Sequence, residues 1–266
     1  MLTHLTIDKL ASLGLGAMAT GLADQLAAPS VFTELGFEDR LGLLVDKEAE
    51  ARESRNLARR LKAAKLRYPA AIEDIDWRSP RGLDRSTVAS LSQAGWVTAH
   101  HNLVITGPTG VGKSYLACAL ANAALRAGHS VAYVRVPRMI DDLAVGRADG
   151  RYGRLLGALG RVSLLVLDDF LLTPAPVQAC RELLEVIEER AQRRSTLVAS
   201  QLPVDAWHSA MADSTLAEAI LDRILHSAHR ITLKGQSLRQ SQPELPGNPP
   251  AAGKREGGDP TTAHSA

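Results

Sequence analysis

The chain has 266 residues, 31 Lys and Arg against 29 Asp and Glu for a net charge of +2, and is 45% hydrophobic and 4% aromatic. That apolar fraction supports a real core and excludes global disorder, while the near-neutral balance excludes a histone-like basic coat and confines any nucleic-acid role to local patches. Two isolated cysteines, Cys118 and Cys180, cannot build a disulfide framework or a four-ligand zinc site and point to a reducing, cytoplasmic setting.

The uncharged stretch at residues 10–23 is too short to span a bilayer, and Asp8 beside Lys9 spoils it as a secretory leader. It reads as a short helix pair broken at Gly14, Gly16 and Gly21. No other segment has 18 apolar residues in a row, so no membrane association is expected. Residues 1–70 read as a small all-helical N-terminal domain, residues 71–240 as a second domain, and residues 241–266 as a disordered tail rich in Pro, Gly and Ser.

Between residues 52 and 67 seven basic side chains face one acid, Glu53. Arg52, Arg55, Arg59 and Lys62 fall at helical spacing and share one face. Such a ridge is either a solvated face or a track for phosphates. A second basic set, Arg135, Arg138, Arg147, Arg151, Arg154 and Arg161, lies in the middle of the chain.

Beyond residue 100, short apolar runs at 102–106, 131–136, 162–168, 195–200 and 229–233 alternate with helical patterns at 113–127, 137–160 with a break, 176–193 and 214–228. Apolar strands alternating with helices predict an α/β fold with a five-stranded parallel sheet covered on both faces.

Directly after the first run stand Gly107, Pro108, Thr109, Gly110, Val111, Gly112, Lys113 and Ser114, a complete G-x-x-x-x-G-K-[ST] opening a helix. The glycines let backbone N–H groups turn inward around phosphates, and the helix N-terminus adds partial positive charge. Lys113 is expected to reach the β- and γ-phosphates and Ser114 to hold Mg²⁺. The third run ends in Asp168 and Asp169, 55 and 56 residues beyond Lys113. Asp168 is assigned to the metal and Asp169 to the attacking water. The loop alone does not separate an ATPase from a GTPase or a small-molecule kinase, and the lack of an N-K-x-D segment argues against the GTPase.

GPTGVGKS, LLVLDDF, RSTLVASQLPVDAWH and LAEAILDRILHSAHRITLKGQSLR together resemble the IstB-like transposition helper ATPases, relatives of the bacterial replicative helicase loader within the AAA+ class. The resemblance spans about residues 5–240. It implies an AAA+ P-loop NTPase core, Walker A at residues 107–114 and Walker B at Asp168 and Asp169. It places Gln201 at sensor 1 and makes Arg223 an arginine finger donated in trans, with Arg193 and Arg194 as runners-up. Read without it, Arg223 is a surface arginine within reach of Asp222 or Glu218. The resemblance also favours the phosphate track on Arg52, Arg55, Arg59 and Lys62. It implies double-stranded DNA, a cognate transposase and a homo-oligomeric ring or spiral as partners, in DNA recombination or, for the helicase-loader alternative, DNA replication. A nucleotide-binding regulatory module without useful turnover is a third reading. Departures are Leu171 and Leu172 after Phe170, where many relatives have glycine, Asp169 in place of Glu, and too little chain beyond Arg230 for a helical lid.

Overall fold

The computed structural model describes residues 2–238; the expectation for 241–266 lies outside them. Three helices, α1 (Leu2–Ser12), α2 (Gly16–Ala27) and the single turn α3 (Pro29–Phe32), precede the long α4 (Phe37–Ala64). At 28 residues, α4 is about 42 Å long. The break between α1 and α2 falls at residues 13–15, where Gly14 has φ +73°. The break expected at Gly21 is absent: Gly21 lies buried inside α2, where Leu44 of α4 would stand 2.8 Å from a Cβ. Its missing side chain serves close helix packing.

The first turn of α2 has no side-chain cap of its own. Glu48, buried on α4, supplies one, its Oε2 accepting from the N–H groups of Ala17 (2.9 Å) and Met18 (3.2 Å). This satisfies two otherwise orphaned donors and sets negative charge at the positive end of a helix. Burial works against the Glu48 carboxylate, but those two bonds and two from Arg52 and Arg55 outweigh it and lower its pKa.

After α5 (Arg85–Ser92) and the short α6 (Gly95–Thr98) comes the sheet: β1 (Asn102–Thr106), β2 (Val131–Arg135), β3 (Leu164–Phe170), β4 (Ser195–Ser200) and β5 (Ala228–Thr232). All pairings are parallel, in the order β2-β3-β4-β1-β5. Its helices are α7 (Lys113–Arg126), α8 (Val136–Ala148), α9 (Tyr152–Arg161), α10 (Val177–Arg190) and α11 (Ser214–Leu225). The third strand begins two residues later than expected and carries both acids within it.

Alternate strand residues feed two cores, as the period of two requires. Leu103, Ile105, Leu164, Val166 and Leu197 face a cluster built with α5, α6 and α7; Val104, Leu165, Leu167 and Val198 face one built with α8, α10 and α11. The first cluster also takes in Ala64 and Ala70, with Leu57 packed against it, so the end of α4 is part of the wall of the sheet domain. Buried Arg190 ties the far end of the sheet: Nη1 donates to the carbonyl of Val162 at 3.0 Å and to that of Leu159, Nε to Thr196 Oγ1 at 3.1 Å, and Nη2 to the Ser195 carbonyl. Both cysteines are buried and free.

Candidate nucleotide site

In this strand order the carboxyl ends of β3, β4 and β1 lie side by side, the position where open parallel sheets bind ligands. Residues 107–114 leave β1 and enter α7, with Gly107, Gly110 and Gly112 all at positive φ (+149°, +82° and +99°). Space as well as φ demands glycine at Gly107, where a Cβ would run into the Leu233 carbonyl. Lys113 folds back over the loop and its Nζ donates to the Pro108 carbonyl at 2.8 Å.

Ser114 Oγ donates to Asp168 Oδ1 at 3.0 Å, so the hydroxyl after the loop lysine and the acid of β3 converge. Asp168 is buried, and the Tyr133 hydroxyl donates to its other oxygen, Oδ2. Burial and this bond to Asp168 push the Tyr133 phenol pKa far up, so it stays a donor. Gln201, one residue past β4, accepts from Thr109 Oγ1 at 2.7 Å. Its neighbour Ser200 is turned away, its Oγ donating to the Phe170 carbonyl at 2.7 Å. A cavity of about 450 Å³ opens over this constellation, lined by Gly110, Lys113, Ser114, Asp169 and Gln201 among others.

The turn past the acids is irregular. Asp169 has φ +56° and Leu171 φ +52°, both left-handed, and the β3–β4 register shifts between Leu167 and Phe170. This is the departure that Leu171 and Leu172 foreshadow in the sequence. Non-glycine residues held there carry strain that the surrounding structure must offset.

Four features of the site were not legible in the sequence. Arg67, counted among the basic residues after α4, stands 3.5 Å from Asp168 Oδ2 and 3.9 Å from Asp169 Oδ2 through Nη1. Arg135, placed in the second basic set, donates from Nε to Asp169 Oδ2 at 2.6 Å. Arg81 donates to the Val111 carbonyl at 3.3 Å and to the Asp76 carbonyl at 2.5 Å. Residues 233–238 lie across the loop, the Leu238 N–H bonding the Gly110 carbonyl at 3.1 Å and the Leu233 N–H the Thr106 carbonyl at 2.8 Å. Only the parallel register of β2 on β3, which sets Arg135 opposite Asp168, could have suggested one of them.

Other sequence candidates lie apart. Arg223 on α11 donates to the Ala219 carbonyl and, from Nη2, to Glu188 Oε1 of α10, both at 2.9 Å. It does not line the cavity, and its acid is neither Asp222 nor Glu218. Arg193 and Arg194 precede β4, at the opposite end of the strands from the loop. Arg52 and Arg55 turn back to Glu48 at 3.1 and 3.0 Å, and Arg59 bonds Asn56 at 3.1 Å. In the second basic set, Arg147 is held by buried Glu182 (2.7 Å) and by Glu185 (2.9 Å), and Arg151 by Asp149.

Among the described residues no three His, Cys, Asp or Glu side chains cluster as a metal cage. One hydroxyl and one carboxylate beside a phosphate loop fit Mg²⁺, which takes few protein oxygens and completes its shell from water and phosphate.

The profile of IstB-like ATP-binding proteins matches residues 8–245. The chain belongs to this family. It is a P-loop ATPase. An insertion sequence ATP-binding protein of Sinorhizobium fredii is 51% identical over 91% of this chain and 98% of its own length. That of IS1162 from Pseudomonas fluorescens is 45% identical over 76% of this chain and 88% of its own. An insertion-sequence ATP-binding protein of Mycobacterium tuberculosis is 32% identical over 83% and 89%. Among solved structures, DnaI superposes with a TM-score of 0.53 at 22% identity, over 62% of this chain and 91% of that one, and the DnaC helicase loader with 0.51 at 19%, over 64% and 100%. The chain therefore shares a fold with DnaI and the DnaC helicase loader over 62% and 64% of its length. No described helix is long and apolar enough to cross a membrane.

Proposed function

We propose that this IstB-like ATPase is a transposition helper that oligomerises on double-stranded target DNA as a ring or spiral and delivers it to a cognate transposase, with ATP hydrolysis regulating assembly. The observation that carries the nucleotide chemistry is the Ser114–Asp168 bond beside an intact phosphate loop. The insertion-sequence names of its relatives favour the transposition role over the loader role.

In this reading the N–H groups of residues 107–114 bind the phosphates and Lys113 draws charge off the β- and γ-positions. Ser114 and Asp168 would hold Mg²⁺, which neutralises phosphate charge and helps align the triphosphate. Asp169 orients the attacking water and accepts its proton, for which it must first leave Arg135. Gln201, on the β4 end and in contact with Thr109, is set to read the γ-phosphate. Arg223 is exposed enough on α11 to leave Glu188 and enter a neighbouring subunit's site as the finger. Arg52, Arg55, Arg59 and Lys62 contact DNA phosphates, giving shape-driven binding with a steep salt dependence and weak base preference.

Electron microscopy with duplex DNA and a non-hydrolysable ATP analogue tests the proposal. Ordered nucleotide-dependent oligomers on plain duplex are expected. Preference for single strands together with capture of a hexameric helicase would replace it with the loader reading, which the fold shared with DnaI and DnaC makes the natural rival.

A further inference from the structure

Two arginines stand among the acids of the nucleotide site, and neither belongs to the phosphate loop. Arg67 and Arg135 line the same cavity as Lys113, Ser114 and Asp169. The charges gathered there are three cations, Lys113, Arg67 and Arg135, against two carboxylates, Asp168 and Asp169. Arg135 reaches in from the end of edge strand β2. Arg67 arrives by another route: α4 ends at Ala64, Lys65 turns the chain in the left-handed region at φ 51°, and Arg67 follows two residues later. Its side chain is 37% exposed and reaches the acids past Tyr68, whose ring lies 5.3 Å from the guanidinium carbon.

The two oxygens of Asp168 are divided. Oδ2 receives the Tyr133 hydroxyl and the Arg67 guanidinium; Oδ1 receives Ser114. With Oδ2 claimed, the carboxylate cannot rotate freely, and Oδ1 stays turned toward the loop. One of the two residues that hold Oδ2, Arg67, stands three residues beyond the end of the helix that carries the basic ridge.

We propose that Arg67 is a positioning residue that holds Asp168 by Oδ2, offsets the acids when no metal is bound, and couples occupancy of the nucleotide site to the C-terminal end of α4. The inference deepens the ATP reading and rests on it. Arg67 is not assigned any contact with the reacting atoms. Entry of Mg²⁺ and triphosphate changes the charge around its guanidinium by more than one unit at a distance of a few ångströms, which in a partly screened site is enough to move an ion pair. Because only Leu66 and Lys65 separate it from α4, that movement is felt in the last turn of the helix, where Arg60 also donates to the Leu125 carbonyl at the end of α7 (3.2 Å).

The test uses the full chain and a fluorescent ATP analogue, with affinity measured in Mg²⁺ and in EDTA for wild type, Arg67→Ala, Arg67→Lys and Lys113→Ala. In Arg67→Ala the unbalanced acids should repel metal-free nucleotide and attract Mg²⁺, so the ratio of the two dissociation constants (EDTA over Mg²⁺) rises about tenfold. Arg67→Lys, which keeps the charge, should restore the wild-type ratio. Amide exchange in residues 57–68 should change when Mg²⁺ and the analogue bind wild type, and should not change in Arg67→Ala. An unchanged ratio in Arg67→Ala, failure of lysine to rescue, or an α4 exchange response that persists without Arg67 overturns the proposal while leaving the ATP reading intact. Failure of wild type itself to bind nucleotide, or full binding by Lys113→Ala, would overturn the ATP reading beneath it. Arg67 lies at the cavity wall and is partly exposed, so the alanine variant is expected to fold, and circular dichroism of each variant checks this.

Discussion

Arg135 Nε donates to Asp169 Oδ2 across 2.6 Å, the second acid of the nucleotide site being clasped by the last residue of the neighbouring strand. That oxygen is occupied by Arg135, and the proposed base must leave the pair before it can take a proton from water. Asp169→Asn is therefore expected to lower ATP turnover by about 10²-fold or more while leaving nucleotide affinity within a few-fold of wild type. Single-turnover hydrolysis beside equilibrium binding measures both, and unchanged hydrolysis would transfer the base role to another group.

The proposed function sends Arg223 from its pair with Glu188 into a neighbouring subunit's site, so its two environments can be separated. Arg223→Ala should reduce turnover in the assembled state by about 10³-fold and leave nucleotide binding by the dilute monomer unchanged. Its pair with Glu188 is partly exposed, and its loss should cost no more than about 1 kcal/mol. Loss of monomer binding would mean that the finger is elsewhere.

The basic ridge predicts a salt signature. Arg59 and Lys62 lie on α4 beyond the reach of Glu48, whereas Arg52 and Arg55 must leave that carboxylate to meet a phosphate. Replacing Arg59 and Lys62 by Ala should flatten the slope of log affinity for duplex DNA against log salt by about 1 for every phosphate that is no longer neutralised. Fluorescence anisotropy over a salt series reads this directly, and an unaltered slope would remove the ridge from the interface.

Arg190 gathers the ends of α9, β3 and β4 with hydrogen bonds to three carbonyls and a hydroxyl, and has no carboxylate partner among the described residues. Burial, and secondarily the nearby Arg194, pushes its guanidinium down to about 9. Arg190→Met keeps apolar volume but leaves those oxygens without a donor. A loss of about 3 kcal/mol is expected in denaturant unfolding, since each orphaned buried group costs on the order of 1 kcal/mol or more.

Glu48 sets a pH dependence in the N-terminal helices. Its folded-state pKa lies below that of an unfolded glutamate, about 4.3. The stabilisation is complete above that value and is lost as pH falls through the lower, folded-state one. Acidification should raise amide exchange at Ala17 and Met18 before the sheet unfolds, and Glu48→Gln should show the raised exchange already at neutral pH.

The alternation of strands and helices was readable because the central strands β1, β3 and β4 are buried on both faces, and the phosphate loop because its glycines stand at a fixed spacing, each in a positive-φ conformation. What escaped sequence reading was pairing across long separations. Arg67 and Asp168 are brought together only when the end of α4 packs on β2, and residues 233–238 reach Gly110 only after β5 has paired with β1. Arg147 looked like part of a basic strip because Glu182, its partner, lies 35 residues away on another helix. Gly21 looked like a helix breaker because the sequence does not show Leu44 pressing against it. Charge counted along a chain overestimates the charge a surface presents whenever the compensating acids come from distant elements.

The uninterrupted course of α4 has a mechanical consequence. A stiff rod about 42 Å long, seated at one end in the wall of the sheet domain, acts as a lever. Tilting it by about 5° at that seat carries its opposite end through roughly 4 Å, close to the axial rise of about 3.4 Å per nucleotide along one DNA strand. Displacements too small to notice beside the acids would therefore arrive at α2 as a change of docking position.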